Sequence, residues 1–527
     1  MRIAALDLGS NSFHLLVVET RRDGSFVPLA REKVMLRLGD VVAREGVLTE
    51  VAIEAAIDTI RRLKTIAEVQ RADEIVAMAT AAMRQAANGP EVAERIEEAT
   101  GVRVQVVSGI REAQLIFEAV RASVLIEPGP ALCADLGGGS LELSVGDQFG
   151  LSYATSLHLG VGRLTAEYVR TDPPSKKDRA RLKEQISKQL DEVLEELLAC
   201  GPKLLIGTSG TFCALARGAA ARRDGIVPTS VNQLTVTARE LGALGEIICE
   251  LPSWERARLA GIEARRAELL PAGVAVTEVL MERTGLRELT VSEWGLREGI
   301  IISTIAQHDR VEFSNDPRAI RRASVLSLCV RSRWPEAHSR QVARLVVELF
   351  DSTVALHELD GEDRELLELA ALLHDIGEHV SRDGHARHTA YLVENGGLRG
   401  FSPIEIQMLS CLGRYHVRGR PRESFHAWET LERSERERVL KMISLLRIAD
   451  GLDAAHDSVI GHVGVELSGA GVEIVVSARG DAELERWMLQ RKVQLFQELF
   501  EVPVSLEVVP TGPEEMQALG SEEAGLA

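Results

Sequence analysis

The stretch Asp135-Leu136-Gly137-Gly138-Gly139-Ser140-Leu141-Glu142-Leu143 constrains this chain more than any other. The apolar run Ala131-Leu132-Cys133-Ala134 leads into it and Ser144-Val145 follows, so the pattern reads strand, glycine-rich turn, strand. Three successive glycines let the backbone turn tightly and bring its N–H groups close to a ligand, an arrangement that suits phosphate. Asp135, at the end of the first strand, is placed to hold a divalent cation or its waters, and Glu142 adds a second carboxylate just past the turn. A single hairpin of this kind is commonly only a turn. Here the pattern recurs: Ile3 to Leu8, then Gly9-Ser10-Asn11-Ser12, then Phe13 to Val18. Ser10, Asn11 and Ser12 supply hydroxyl and amide donors. Two such hairpins point to two similar lobes facing each other across a phosphate.

A third turn has the same character. Leu204-Leu205-Ile206 reads as a buried strand feeding Gly207-Thr208-Ser209-Gly210-Thr211, ahead of a helix. Between these landmarks the chain alternates helix and strand. Ile53, Ile57, Ile60, Leu63 and Ala67 predict an amphipathic helix over 48–70. Residues 32–46 read as loop and short strand, and 74–79 as a buried strand. A helix around Val92 and Ile96 is expected to stop at Gly101. Ser108-Gly109 caps another that begins near Arg111. The stripe Leu182, Ile186, Leu190, Val193, Leu197 predicts one long helix over 176–199.

From about residue 310 the pattern is helical only, and it contains His338, His374-Asp375, His388, His416 and Asp450. It changes again near Gly464: a hairpin around Gly469-Ala470-Gly471, a helix over 482–500 and a strand over 504–508. Residues 511–527 are small and acidic and read as a disordered tail.

Bulk properties narrow the class. A chain of 527 residues is too long for a single core, so about three or four domains are expected. No apolar run is long enough to span a membrane, and no basic-then-apolar leader precedes the first strand. The six cysteines lack paired spacing, which fits a reducing cytoplasm better than a disulfide frame or a zinc site. The net charge of −18 argues against general nucleic-acid binding but not against a polyanionic substrate, since a local basic cleft with bound Mg²⁺ reverses the sign.

The paired hairpins resemble the actin-like ATPase and sugar-kinase superfold, and DLGSNSFHLLVVE with DLGGGSLEL resembles the exopolyphosphatase / guanosine-pentaphosphate phosphohydrolase (Ppx/GppA) family. The segments Ala79 to Gly89, Ser108 to Ala113, Arg266 to Gly273 and Ser292 to Gly299 have counterparts in the same order, so the likeness runs through the first two lobes. It implies an α/β fold of two actin-like (ribonuclease H-like) lobes with a phosphate-binding cleft, over residues 1–127 and 128–307. An all-α HD-like domain (308–460) and a small α+β module (461–510) are expected to follow.

The resemblance also implies roles. Asp7 and Asp135 would bind Mg²⁺ or Mn²⁺, and Glu142 would either join them as a ligand or act in catalysis by orienting the attacking water. Glu112 in Ser108-Gly109-Ile110-Arg111-Glu112-Ala113 would be the general base. Arg111 replaces the first glutamate of the common motif and brings a positive charge nearby. Arg84 would contact a phosphate; Arg163 and Arg297 are weaker candidates, structural ion pairs being the competing reading. His338, His374, Asp375 and Asp450 have the H…HD…D order of HD phosphohydrolases. Either they bind a second divalent metal, with His388 and His416 available for a further ion, or the set is structural.

The activity implied is Mg²⁺-dependent hydrolysis of the terminal phosphoanhydride of inorganic polyphosphate, releasing orthophosphate. The alternatives are hydrolysis of guanosine pentaphosphate to the tetraphosphate, a non-catalytic polyphosphate or nucleotide sensor, and an actin-like kinase or ATPase. Glu112 and Glu142 weigh against the sensor; Ser10-Asn11-Ser12 and the histidine-rich helical region weigh against the kinase. A cytoplasmic homodimer is expected.

Overall fold

A computed structural model describes residues 1–21, 25–309, 317–468 and 471–510. The expected tail and the middle of the hairpin turn, 469–470, lie outside those residues, whereas the expected boundary at 307/308 falls within the helix Leu296–Asp309. The chain divides into two compact units, Met1–Ile320 and Arg321–Ala527.

The first unit holds two sheets. In the first, β1 (Arg2–Leu8), β2 (Ser12–Thr20) and β3 (Phe26–Met35) form an antiparallel meander, and β4 (Glu74–Ala79) and β5 (Val104–Val106) add in parallel on the other side of β1. The order is β3-β2-β1-β4-β5. The second sheet repeats the plan. β6 (Ala131–Leu136), β7 (Leu141–Gly146) and β8 (Leu151–Leu157) form the meander. β9 (Leu204–Thr208) and β11 (Glu288–Val291) run parallel to β6, and β10 (Thr235–Thr237) closes the edge. Its order is β10-β11-β9-β6-β7-β8. β1 and β6 are therefore equivalent central strands. Ile3, Ala4, Ala5 and Leu6 are buried in succession, as are Ala131 to Ala134, because both faces of a central strand are covered.

The covering layer explains how the lobes are joined. One core cluster gathers Ile3, Ala5, Leu16 and Val18 from the first sheet with Ala131, Cys133 and Ile206 from the second. Between them lie Leu115, Ile116, Phe117 and Val120 of the helix Gly109–Arg121, and Leu296, Ile300, Ile301 and Ile305 of the helix Leu296–Asp309. These two helices cross closely: a Cβ on Gly299 would stand 2.1 Å from the Leu115 carbonyl oxygen. The helix carrying Glu112 is thus held between the two sheets.

Three segments differ from the sequence reading. Residues 32–46 are the end of β3 and a helix, Leu38–Glu45. β3 is an edge strand with polar, half-exposed residues, and its pairing to β2, not an apolar run, defines it. The helix expected over 176–199 breaks into Lys176–Asp191 and Leu194–Ala199. Leu182, Ile186, Leu190 and Leu197 are all buried, so the apolar stripe continues across a break that periodicity does not register. The helix over 482–500 likewise divides into Glu483–Lys492 and Gln494–Phe500.

The second unit is a set of helices joined to a small sheet. Helices Glu336–Ser352, Gly361–Leu373, His385–Asn395, Pro403–Tyr415 and Arg433–Gly451 surround one core. β12 (Ile460–Ser468) pairs antiparallel with β13 (Gly471–Ala478), which pairs parallel with β14 (Val504–Pro510). Val463, Ile474, Val476, Leu489 and Phe496 belong to the same core as the helices. The α+β segment is therefore packed into the helical unit and has no separate core of its own among the described residues.

Candidate active site and histidine centre

Strand register places the first carboxylates. Asp7 closes β1 and pairs with His14 on β2; Asp135 closes β6 and pairs with Glu142 on β7. His14 thus occupies in one lobe the position that Glu142 holds in the other. The two turns touch. A Cβ on Gly138 would stand 2.5 Å from the Asn11 side chain, and one on Gly139 would stand 2.6 Å from Ser10 Oγ. A side chain at either glycine would have to displace Asn11 or Ser10 from the cleft. The turn at 208–211 joins them, with Ser209 Oγ donating to the Leu136 carbonyl at 2.8 Å.

These turns line a cleft of about 460 Å³, into which Asp7, Asp135, Glu112 and Glu142 all face. Gly9, Ser10, Asn11, Ser12, Gly137, Gly138, Gly139, Ser140, Ser209, Gly210 and Thr211 are part of its wall. Gly207 is not: a Cβ there would meet Phe212 at 2.7 Å and Leu289 at 2.9 Å, so this glycine serves packing behind the turn.

The four carboxylates perturb one another. Burial raises Asp7 to about 7 against the opposing pull of Arg297, and raises Asp135 to about 7 with help from Asp7. Burial raises Glu112 to about 7, with Arg84 opposing. Burial, then Glu112 and Asp135, holds Glu142 well above the usual carboxylate range. Asp135 Oδ1 is buried with no hydrogen-bond partner. The four acids line one cavity with an orphaned oxygen among them, but no three of them bring ligand atoms within 4.8 Å of one another, so a hard divalent cation here would be held largely through its waters.

Glu112 is the best-held of the four. Ser108 caps its helix, accepting from the Arg111 N–H at 3.1 Å. Arg84 Nη1 donates to Glu112 Oε2 at 2.9 Å, and Ser156 Oγ donates to Glu142 Oε1 at 2.8 Å. Arg84 therefore stands behind the carboxylates and not in the cleft wall. Arg111 turns away from the cleft and donates to Ser303 Oγ at 3.0 Å, so the added charge expected beside Glu112 is spent elsewhere. Arg163 pairs with Glu167 along its own helix at 3.3 Å, whereas Arg297 lines the cleft.

Several cleft residues escaped sequence reasoning. Arg31, Lys33, Arg217, Arg265 and Arg266 line it together with Arg297. Burial, then Arg266 and Arg265, pulls Lys33 down to about 8, the mark of cations crowded on one another. His14 accompanies them. Burial and then Arg297 and Lys33 push it down to about 3, so its ring is neutral, and its Nε2 lies 2.7 Å from Ser12 Oγ. Alternation of Arg31 and Lys33 along a strand and the doublet Arg265-Arg266 were the available signals.

In the second unit, His338, His374, Asp375 and Asp450 do converge. His374 Nε2 lies 3.2 Å from His338 Nε2, and His338 Nε2 lies 3.8 Å from both Asp375 Oδ2 and Asp450 Oδ1. His385 and His416 complete the group, with Nε2 atoms 3.3 and 3.2 Å from Asp375 Oδ1. His388, expected there, is not among the residues that meet; His385, three residues earlier on the same helix, takes that place.

The tautomers follow from the outer partners. His374 Nδ1 donates to the Ala371 carbonyl at 2.7 Å, His416 Nδ1 to the Gly413 carbonyl at 2.8 Å, and His385 Nδ1 to the Arg382 carbonyl at 3.1 Å. His338 Nδ1 faces Asp453 Oδ2 at 2.8 Å. A carbonyl can only accept, so the protons sit on Nδ1 and the Nε2 lone pairs point inward. Burial opposes ionisation of Asp375, and only positive charge among its neighbours, His374 first, holds it below the usual range, the part a cation would play with the rings neutral. Its Oδ1 has no hydrogen-bond donor. Lone pairs facing a carboxylate at such distances fit an intervening cation.

The two repeated sheets and the cleft of carboxylates and cations between them define an enzyme class that acts on phosphoryl groups. Residues 17–308 match the Ppx/GppA phosphatase family, and residues 320–486 match domain III of that family. The chain belongs to the Ppx/GppA phosphatase family. It is 37% identical over 303 residues to "Exopolyphosphatase 1" of Mycobacterium leprae, covering 57% of this chain and 89% of that protein. The Mycobacterium tuberculosis protein of the same name is 37% identical over 306 residues, covering 57% and 88%. Among solved structures, the Aquifex aeolicus Ppx/GppA family member superposes with a TM-score of 0.52 at 29% identity, over 59% of this chain and 99% of that one. An exopolyphosphatase from Cytophaga hutchinsonii gives 0.54 at 27% identity, over 58% and 98%.

Proposed function

We propose that this protein is an exopolyphosphatase, hydrolysing the terminal phosphoanhydride of inorganic polyphosphate to orthophosphate. The observation that carries the reading is the shared cleft: seven carboxylates, Asp7, Glu112, Asp135 and Glu142 among them, and six Arg and Lys side chains line one cavity. Carboxylates alone would repel the substrate, and cations alone would bind it without hydrolysis. The names of the mycobacterial and Cytophaga relatives support the same reading.

The chain's own groups divide the work. The turns at 9–12, 137–140 and 208–211 hold the terminal phosphoryl group, and Arg265, Arg266 and Lys33 neutralise the following units. Glu112, poised near neutrality, takes the proton of the attacking water. Arg84 positions Glu112 and keeps it from rising further. Asp7, Asp135 and Glu142 would hold Mg²⁺ or Mn²⁺, which when bound neutralises phosphate charge and polarises the phosphoryl oxygens. In-line displacement asks mainly for such positioning and charge neutralisation. The test is orthophosphate release from long-chain polyphosphate and from guanosine pentaphosphate, side by side at matched Mg²⁺. Faster turnover of the pentaphosphate would transfer the reading to that substrate.

The second unit is HD-like in this reading, and its histidine centre holds divalent metal through His338, His374, Asp375, His385, His416 and Asp450. The inward-facing Nε2 lone pairs support it. All six cysteines stand unpaired, which supports a reducing cytoplasmic location. No helix among the described residues is long and apolar enough to cross a membrane.

A further inference from the structure

Apart from the cleft and the histidine centre, the second unit has a cavity of about 230 Å³ walled by Arg418, Arg420, Arg447, Arg491 and Lys492, with Glu498 the only carboxylate lining it among the described residues. In a chain of net charge −18 this is a strong local reversal. Two of the cations are already answered: Arg420 pairs with Glu498, and Lys492 with Asp450. The other three make no ion pair among the described residues. Arg491 lies over the Trp487 ring at 4.7 Å. Arg447 is buried, and its donors reach only carbonyls: Nε donates to Tyr415 at 2.9 Å, and Nη2 donates to Tyr415 at 2.6 Å and also to Gly419.

A buried guanidinium without a counter-charge is costly, and proteins rarely keep one unless an anion comes to it. Nε and Nη2 of Arg447 are spent on the carbonyls of Tyr415 and Gly419, which fixes the guanidinium and leaves Nη1 to donate to a phosphate oxygen. The same segment, 415–420, carries His416 of the histidine centre and Arg418 of the cavity wall. Lys492 belongs to both, lining the cavity while touching Asp450.

We propose that this cavity is a binding site for a phosphate dianion, held by Arg418, Arg447 and Arg491 and separate from the cleft of the first unit. Orthophosphate and the end of a polyphosphate chain present that same group. The site needs neither the cleft's hydrolytic role nor metal in the histidine centre.

Hydrogen–deuterium exchange of the full chain tests it, since the cleft and the cavity are read from different peptides of one sample. Glu112→Gln is used as the background so that the ligand persists, with ionic strength held by potassium chloride. Orthophosphate or tripolyphosphate is expected to slow exchange in 415–420 and 487–498. Protection by orthophosphate alone assigns the free ion; a requirement for tripolyphosphate assigns the chain end. Arg418→Ala with Arg491→Ala, both exposed positions, is expected to raise the half-protecting concentration by about tenfold or more. Protection of 135–142 in the cleft is expected to stay unchanged. The proposal is overturned if neither ligand slows exchange in the two segments at concentrations that protect the cleft, or if protection there survives the double substitution.

Discussion

Arg84 and Glu112 form one unit: Arg84 Nη1 donates to Glu112 Oε2 and to the Val107 carbonyl, each at 2.9 Å, while Nη2 stands 3.9 Å from Glu142 Oε1. The arginine is locked between two carboxylates and a backbone oxygen. In the proposed mechanism its effect on catalysis would run through Glu112.

Arg84→Met should therefore move a titration and not only a rate. Burial raises Glu112 to about 7, and Arg84 works against that rise. Without Arg84 the carboxyl rises further, so the acid limb of the kcat/KM profile shifts to higher pH. The pH profile of purified variant and wild type measures this. A lower kcat with the limb unmoved would mean that Arg84 acts on the substrate or the fold instead.

Metal and pH should be linked in stability. Asp7 and Asp135 rise from 3.8 to about 7, and Glu112 from 4.5 to about 7, mainly by burial. Raised folded-state values mean that their contribution is fully present below the unfolded values near 4 and is lost as pH climbs through 7. A cation bound to the ionised acids reverses the loss. Mg²⁺ should then raise the melting temperature more at pH 8 than at pH 5, and Asp7→Asn with Asp135→Asn should erase the difference. Equal stabilisation at both pH values would count against this donor set.

The basic cleft residues should bind chain units that do not react. Arg265→Ala with Arg266→Ala is expected to raise KM for long polyphosphate by about tenfold, the scale of a lost charge-assisted hydrogen bond, with kcat changed little. Steady-state kinetics at two salt concentrations checks it. A fall confined to kcat would place these arginines at the reacting phosphoryl group.

Metal in the second unit should be separable from the cleft. Asp375→Ala with His416→Ala removes the carboxylate and a histidine that meet at 3.2 Å. Elemental analysis of the purified full chain should lose the bound transition metal while polyphosphate hydrolysis persists. Wild type purified without metal, and gaining no thermal stability from added Mn²⁺, Fe²⁺ or Zn²⁺, would make the cluster structural.

What could be read in the sequence was what local rules govern. The equivalence of β1 and β6 showed because each central strand ends in Asp-x-Gly before a glycine or serine turn, and the two sheets do repeat one topology. The convergence of His338, His374, Asp375 and Asp450 was visible as an order of residue types. Other features depend on contacts remote in sequence. His385 and His388 differ by less than one helical turn, and only the packing of their helix decides which faces Asp375. The pairing of Arg84 with Glu112, 28 residues on, has no signature in the sequence. Lys33 and Arg31 lie on an edge strand whose pairing has no apolar signature.

The most direct test of the cleft's function is the product pattern from polyphosphate of defined length, resolved by gel electrophoresis during digestion with Mg²⁺. The expected result is orthophosphate together with chains shortened one unit at a time, and a rate lowered by about 10²-fold or more in Glu112→Gln, the scale of a lost general base. Substrate binding by that variant should remain near wild type. Mid-length fragments without orthophosphate, or undiminished release by Glu112→Gln, would contradict terminal hydrolysis by this site.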